Sequence, residues 1–313
     1  MIKTFRFDPL PGARPYENPR SMRVRRHQAG LSLLNFLLEF HPPTRRQSWL
    51  DWIAAGDITI DGQCAQADRV VLAGERYVHT MHDVCEPDVA PEVVVLHEDD
   101  AIIVVDKPAP MPVHPSGRFN RNTLLCLLQT VYLDDKLRMA HRLDANTTGV
   151  VVVCRTAAAA TSIQTQFANR QVKKQYAAVV HGHVTWDDYV CQLPIQSSAD
   201  LSPKQNTIGS RTVHPDGLPA ETIFRVLERL HDNTTRIEAI PITGRTNQIR
   251  VHLWAMGFPI VGDPLYLPGG KLGQQQTLGV GDPPMRLHAA RLMFVHPQTG
   301  REVSFESRSK ATD

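Results

Sequence analysis

The sequence predicts an α+β protein of two domains, a small N-terminal one and a large C-terminal one. Three observations predict it. Short β-branched runs, of which residues 150–153 (Val-Val-Val-Val) are the clearest, alternate with helix-period segments that carry caps. Two helical segments stand together near the N-terminus, at 31–40 and 44–56, whereas most strand-like runs come after residue 92. Between them, Glu86 to Pro91 has the composition of a linker. A chain of 313 residues is long enough to bury both cores.

Composition narrows the functional classes. No apolar stretch approaches the roughly 20 residues needed to span a bilayer, and the N-terminus lacks the apolar core of a signal peptide. A membrane role is therefore not expected. Cys64, Cys85, Cys126, Cys154 and Cys191 are odd in number and contain no Cys-x-x-Cys pair, which suits a reduced cytoplasm better than a disulfide framework. The closest histidine pairs, His79 with His82 and His181 with His183, lack a third ligand at a recognised spacing, so no metal site is expected. The formal charge of +2 is too small to identify a nucleic-acid partner, but its distribution is uneven. Residues 1–28 hold seven basic side chains against Asp8 and Glu17, together with Pro9, Pro11, Pro15 and Pro19. They read as an extended basic arm, which either contacts a phosphate backbone or is simply solvated.

The small domain, 29–85, follows. Residues 31–40 are apolar enough for a buried helix that Pro42 and Pro43 end. Thr44 with Gln47 has the spacing of a capping box for a second helix, whose stripe is Trp49, Trp52 and Ile53 and whose stop is Gly56. Arg45 and Arg46 sit in its first turn, where cations oppose the helix dipole and an incoming phosphate would relieve the conflict. Short strands are expected at 58–60, 70–72 and 76–79.

After the linker, 86–92, residues 93–96 and 102–105 read as a hairpin. The proline-rich stretch 106–118 is a stiff loop, and Asn122 can cap a helix over 123–132. Thr156 can cap a helix that buries Ile163 and Phe167. Strands are expected at 173–180, 221–227 and 236–242. Thr246 can cap a helix reaching Met256, with Ile249, Leu253 and Met256 inward and Gly257 past its end. The polar region 196–217, with Lys204 and Arg211, has no legible role, residues 268–284 read as a flexible piece, and a last strand is expected near 287–295.

The organising stretch is Met139 to Cys154, in which His141, Arg142 and Asp144 precede a Thr-Thr-Gly turn and a buried strand. A carboxylate on the loop that enters a rigid strand is well placed for chemistry. A local role is also open: Asp144 can cap the turn through the amide of Asn146 or Thr147. His-Arg-Leu-Asp-Ala-Asn-Thr-Thr-Gly resembles the signature His-Arg-Leu-Asp-x-x-Thr-Ser-Gly of the RluA family of RNA pseudouridine synthases, with Thr148 in place of Ser. Strand, Lys107-Pro, and Val113-His-Pro resemble the opening of that family's catalytic domain. Gly244-Arg-Thr-Asn-Gln-Ile-Arg250 resembles its Gly-Arg-Thr-His-Gln-Ile-Arg motif, with Asn247 in place of His. Residues 31–79 are similar to the RNA-binding domain named after ribosomal protein S4.

The resemblance implies a pseudouridine synthase fold over 93–313, with a mixed, largely antiparallel central sheet flanked by helices. It also implies roles. Asp144 would be the nucleophile, Tyr176 would stack on the target base, and Arg250 would pair with Asp144. Arg142 would fill the space of the flipped base or hold a flanking phosphate, and His141, Arg245, Asn247, Gln248, Arg45 and Arg46 would contribute substrate contacts. The chemistry is coherent in its own terms. Isomerising uridine breaks the glycosidic bond, rotates the base and rejoins it through C5, with no redox change, so no cofactor is needed. An Arg partner favours an ionised carboxylate in a dry pocket, so Arg250 is expected to keep Asp144 charged. Attack on C1′, attack on C6 and proton abstraction all remain open for that carboxylate. Flipping the base costs a few kcal/mol, and stacking it on Tyr176 returns about 1 to 3 kcal/mol.

Two other classes compete with this reading. A non-catalytic RNA-binding or ribosome-assembly protein would be expected to have lost the carboxylate, which is present. A glycosidase acting on free nucleosides would want a second acid near the first, and none is evident. The expectation is a cytoplasmic, monomeric enzyme acting on structured RNA. An appended RNA-binding domain points to ribosomal RNA, while Met111-Pro-Val-His-Pro-Ser-Gly-Arg-Phe with Asn122-Thr-Leu resembles the eukaryotic branch that modifies transfer RNA.

Overall fold

The structure is a computed structural model that describes residues 2–196 and 209–309. Among them, 2–13, 86–196 and 209–309 form one compact unit and 14–85 another.

The smaller unit has a four-stranded sheet of β2 (Tyr16–Arg23), β3 (Ile58–Ile60), β4 (Gln63–Cys64) and β5 (Arg76–Val84), in the order β2-β5-β3-β4. Helices α1 (Leu33–Phe40) and α2 (Arg46–Ala55) bury Phe36, Leu37 and Trp49 with Ile58 and Tyr77. Ser32 caps α1, its hydroxyl accepting from the Asn35 amide. Gly56 ends α2 at φ 83°, as its position suggests. The proposed capping box does not form. Arg45 is the N-cap without a side-chain bond, because the Thr44 hydroxyl is engaged by His41 at 2.7 Å and Gln47 reaches on to Asp51. The strand expected at 70–72 is a single bridge from Val70 to Ser32.

The larger unit is built on an eleven-stranded sheet. Its path runs β1 (Lys3–Arg6), β6 (Glu92–Glu98), β7 (Ile102–Lys107), β9 (Thr148–Cys154), β16 (Leu287–Val295), β10 (Lys173–His181), β13 (Thr234–Pro241), β12 (Thr222–Arg229) and β11 (Asp188–Cys191). Two more strands join beside it, β8 (Arg138–Met139) on β9 and β17 (Glu302–Glu306) on β16. Every pairing is antiparallel except β9 with β16, so the sheet is mixed and largely antiparallel.

Both faces of its centre are covered, which explains the unbroken apolar runs. Val105, Val151 and Val153 pack under α3 (Leu124–Gln129), while Val104, Val150 and Val152 pack against α4 (Ala157–Ala168). The Thr156 hydroxyl caps α4 as expected. Helix α3 is capped by Thr123, one residue after the residue expected to do so, because the Asn122 amide group binds Gly12 N and Pro87 O instead.

The N-terminal residues, expected to be an extended arm, supply two edge strands. β1 pairs with β6 at one edge of the large sheet, and β2 pairs with β5 at the edge of the small one. Edge strands tolerate proline, as Pro19 in β2 shows, and they need apolar residues on one face only, which hid their period. Two of the basic side chains are taken by carboxylates, Lys3 by Glu98 and Arg6 by Glu92. The linker is also held down. The Glu86 carboxylate accepts the backbone N–H groups of Asn120, Arg121 and Asn122.

A candidate active site

The Asp144 loop is positioned by the strand that follows it. Gly149, at φ 111°, lies in the only parallel contact of the described sheet, and any Cβ there would collide with the Ala289 carbonyl. Thr148 hydrogen-bonds His288 at 2.8 Å, so the hydroxyl that replaces the usual Ser is in use. The buried Asn146 amide donates to the Gln276 carbonyl and accepts from the Leu278 N–H. The stretch after Pro268, expected to be flexible, is thus tied to the loop. It also carries β15 (Lys271–Leu272), paired with β14 (Tyr266–Leu267).

Beside this loop lies a cleft of about 290 Å³, lined among others by Arg142, Asp144, Lys174, Tyr176, Arg245 and Arg250. That is near the lower limit for ligand pockets, roughly 300 to 1,000 Å³, and suits one nucleoside extracted from its stack. Residues far apart in sequence meet here. Arg250 comes from α5 (Gln248–Ala255), Tyr176 from β10, and Asp144 from the loop before β9.

Arg250 Nη1 donates to Asp144 Oδ2 at 3.0 Å. The local capping role does not hold this side chain, since the Thr147 amide bonds the Asp144 backbone carbonyl instead. The guanidinium is itself held from behind. Its Nε and Nη2 donate to Asp263 at 2.7 and 2.8 Å, a bidentate pair in which Asp263 is 0% and Arg250 4% exposed, against 24% for Asp144. The accessible carboxylate is the one at the cleft. Burial alone would lower the Arg250 pKa, but hydrogen bonds and charge from Asp263, with the charge of Asp144, outweigh it and raise it.

Asn247 completes the frame. It occupies the N-cap position of α5 at φ 57°, a left-handed conformation that Asn tolerates, and displaces the expected Thr246 cap. Its Oδ1 accepts from Arg250 Nη1 at 3.1 Å and its Nδ2 donates to the Tyr266 hydroxyl at 3.1 Å. The Tyr266 ring stacks under the guanidinium at 5.0 Å, and its hydroxyl is held by the Arg211 backbone.

Several residues expected to touch substrate line the cleft and also have partners within the protein. Gln248 is buried and makes four hydrogen bonds, to the Thr243 hydroxyl, Arg245 N, Glu221 O and the Thr222 hydroxyl, which fix the turn at 243–247. His141 Nε2 accepts the Val152 N–H at 3.0 Å and its ring stacks on Phe167. Burial, with the charge of Lys174 adding, pushes the His141 pKa down to about 3, so the ring is a neutral brace for the loop. Arg245 lines the cleft while its Nε donates to the Pro219 carbonyl. Arg142 is exposed. Arg45 and Arg46 are exposed residues of the smaller unit, and Lys204 lies outside the described residues.

Burial, reinforced by the charge of Asp144, raises the Tyr176 pKa, so the phenol remains protonated at neutral pH. Lys107, of the strand–Lys-Pro segment, is buried behind the loop. Its Nζ donates to the carbonyls of Pro108, Met111 and Ala145, joining the proline-rich loop to the residue after Asp144. Burial pushes its pKa down to about 7, against the charge of Asp144. Asp263 and Tyr266 were missed altogether. Their one sequence signal was Gly262-Asp-Pro-Leu-Tyr, where Asp263 Oδ1 accepts the amides of Leu265 and Tyr266 in an Asx-type turn.

An arginine-held carboxylate in a nucleoside-sized cleft, with an aromatic ring beside it, defines a class of enzyme that works on one base at a time. Comparison with known proteins gives the class its identity. Residues 101–255 match the RNA pseudouridylate synthase family. The ribosomal large subunit pseudouridine synthase D of Xanthomonas campestris is 36% identical over 283 residues, 85% of this chain and 82% of that protein. The dual-specificity RNA pseudouridine synthase RluA of Salmonella typhi is 36% identical over 222 residues, 70% of this chain and 94% of that one. Among solved structures, human RNA pseudouridylate synthase domain containing 4 superposes with a TM-score of 0.55 at 29% identity, covering 70% of this chain and 89% of that chain. The chain belongs to the RluA family of RNA pseudouridine synthases. It is an isomerase that converts uridine to pseudouridine in RNA.

Proposed function

We propose that Asp144 is the nucleophile of the isomerisation, that Arg250 holds it in position, and that Tyr176 stacks on the target base once it has left the helix. The observation that carries this is the 3.0 Å Arg250–Asp144 pair inside the cleft that Tyr176 also lines. The N1–C1′ bond breaks, a C5–C1′ bond forms, the C5 hydrogen leaves as a proton and N1 gains one. Arg142 at the rim takes the vacated place or a flanking phosphate. The smaller unit serves as an S4-like RNA-binding domain, with Arg45 and Arg46 toward phosphate.

The target is large-subunit ribosomal RNA. In support, the match that runs over 283 residues is to a protein named for the ribosomal large subunit, whereas the dual-specificity relative matches 222 residues. The enzyme acts as a monomer in the cytoplasm, a compartment that suits five unpaired cysteines. The test is tritium release from unmodified ribosomal RNA and transfer RNA, each made with uridine labelled at C5. Release from ribosomal RNA alone is expected. Release only from transfer RNA would reassign the substrate, and release from neither would overturn the reading.

A further inference from the structure

The cleft contains a second cation, half-buried, for which the described residues supply no ion-pair partner. Lys174 lies on β10 two residues before Tyr176, and both line the cleft. Its Nζ donates to the Thr243 carbonyl at 3.1 Å, which uses one of the three protons of an ammonium. Among the described residues no carboxylate forms an ion pair with it. Burial pulls its pKa down to about 8, and no neighbouring negative charge pushes it back. The nearby groups offer no counter-charge. His141 is neutral with its Nε2 bonded to Val152, and Asp144 is paired with Arg250.

Isolated charges are expensive to desolvate and are normally paired. Here the substrate is a polyanion, so the missing partner can arrive with it. Two residues along a strand span about 7 Å, comparable with the distance from a nucleotide's base to its own phosphate. We propose that Lys174 is an anion-binding subsite of the cleft, its Nζ donating to a phosphate of the target nucleotide while Tyr176 faces the base. This rests on the assignment of Tyr176 above. A merely structural Lys174 would do no more than hold the Thr243 carbonyl, and the salt dependence of turnover separates the two.

The experiment follows tritium release from the RNA class that the wild type modifies, at several salt concentrations. The variants are Lys174→Gln and Lys174→Met, which remove the charge, and Lys174→Arg, which keeps it. For the first two, kcat/KM is expected to fall about 10-fold, mainly through KM, and Lys174→Arg should recover most of it. The slope of log kcat/KM against log salt should become shallower by about 0.7, the effect of one lost phosphate contact. An unchanged slope overturns the proposal whether or not activity falls. Should both charge-removing variants unfold, the wild type is assayed with free nucleosides as inhibitors. Uridine monophosphates are then expected to inhibit at about 10-fold lower concentration than uridine, and equal inhibition overturns the proposal. Absence of release by the wild type would instead indict the parent reading.

Discussion

Arg250 and Lys174 are cations of one cleft, the first buried and the second half-buried, and they are held in different ways. Arg250 makes four hydrogen bonds to protein, two of them to the fully buried Asp263, and its charge is compensated before any ligand arrives. Lys174 has one carbonyl and no carboxylate. The difference separates framework from subsite. A group that must present a nucleophile at a fixed angle is over-determined, because small errors of position are costly in catalysis. A group that must receive a ligand keeps donors in reserve.

Breaking the framework should have the larger effect. Asp263→Asn leaves the buried guanidinium short of a charge partner and should lower stability to denaturant by about 3 to 5 kcal/mol. An unfolding midpoint unmoved by that change would mean that Asp263 does not anchor Arg250. Gly149→Ala acts on the strand rather than the charge. It places a side chain at φ 111° against the Ala289 carbonyl, where β9 meets β16, and a loss of about 3 kcal/mol is expected in the same measurement.

The smallest effect is expected from Asn247→His, which restores the residue usual in the family. Asn247 accepts from Arg250 and donates to Tyr266 at every pH. A neutral imidazole can do both, but once protonated it has only donors, one of which faces the guanidinium. Activity of this variant should therefore fall, by about threefold, as pH drops below about 6.5, while the wild type shows no such limb. Matching pH profiles of the two proteins would remove Asn247 from the frame.

The same contrast explains what the sequence disclosed. The fold class and the Asp144 loop were legible because their signals are linear: a β-branched run buried on both faces, and a motif within one turn. Tyr176 and Arg250 could be named only through the family resemblance of the segments that carry them, and the structure brings both to the Asp144 cleft. Asp263 and Tyr266 were invisible because their work is tertiary, performed across a turn on a side chain from another element. The internal bonds of Gln248 and His141, which both line the cleft, were hidden for a related reason. A polar residue within a motif looks available, yet Glu221, Thr222, Thr243 and Val152 had already engaged these two. Helix starts at Thr44, Asn122 and Thr246 were displaced by one residue where another partner or conformation competed, and edge strands at the N-terminus passed for an arm because half of each faces solvent.

The central claim is that the carboxylate presented by this framework performs the reaction. The most direct test is the single-turnover rate of tritium release by Asp144→Asn, which keeps the shape of the side chain, measured beside RNA affinity and thermal unfolding. The account expects the rate to fall by at least about 1,000-fold, while affinity and stability change little. A variant that releases tritium within about tenfold of the wild-type rate would contradict it.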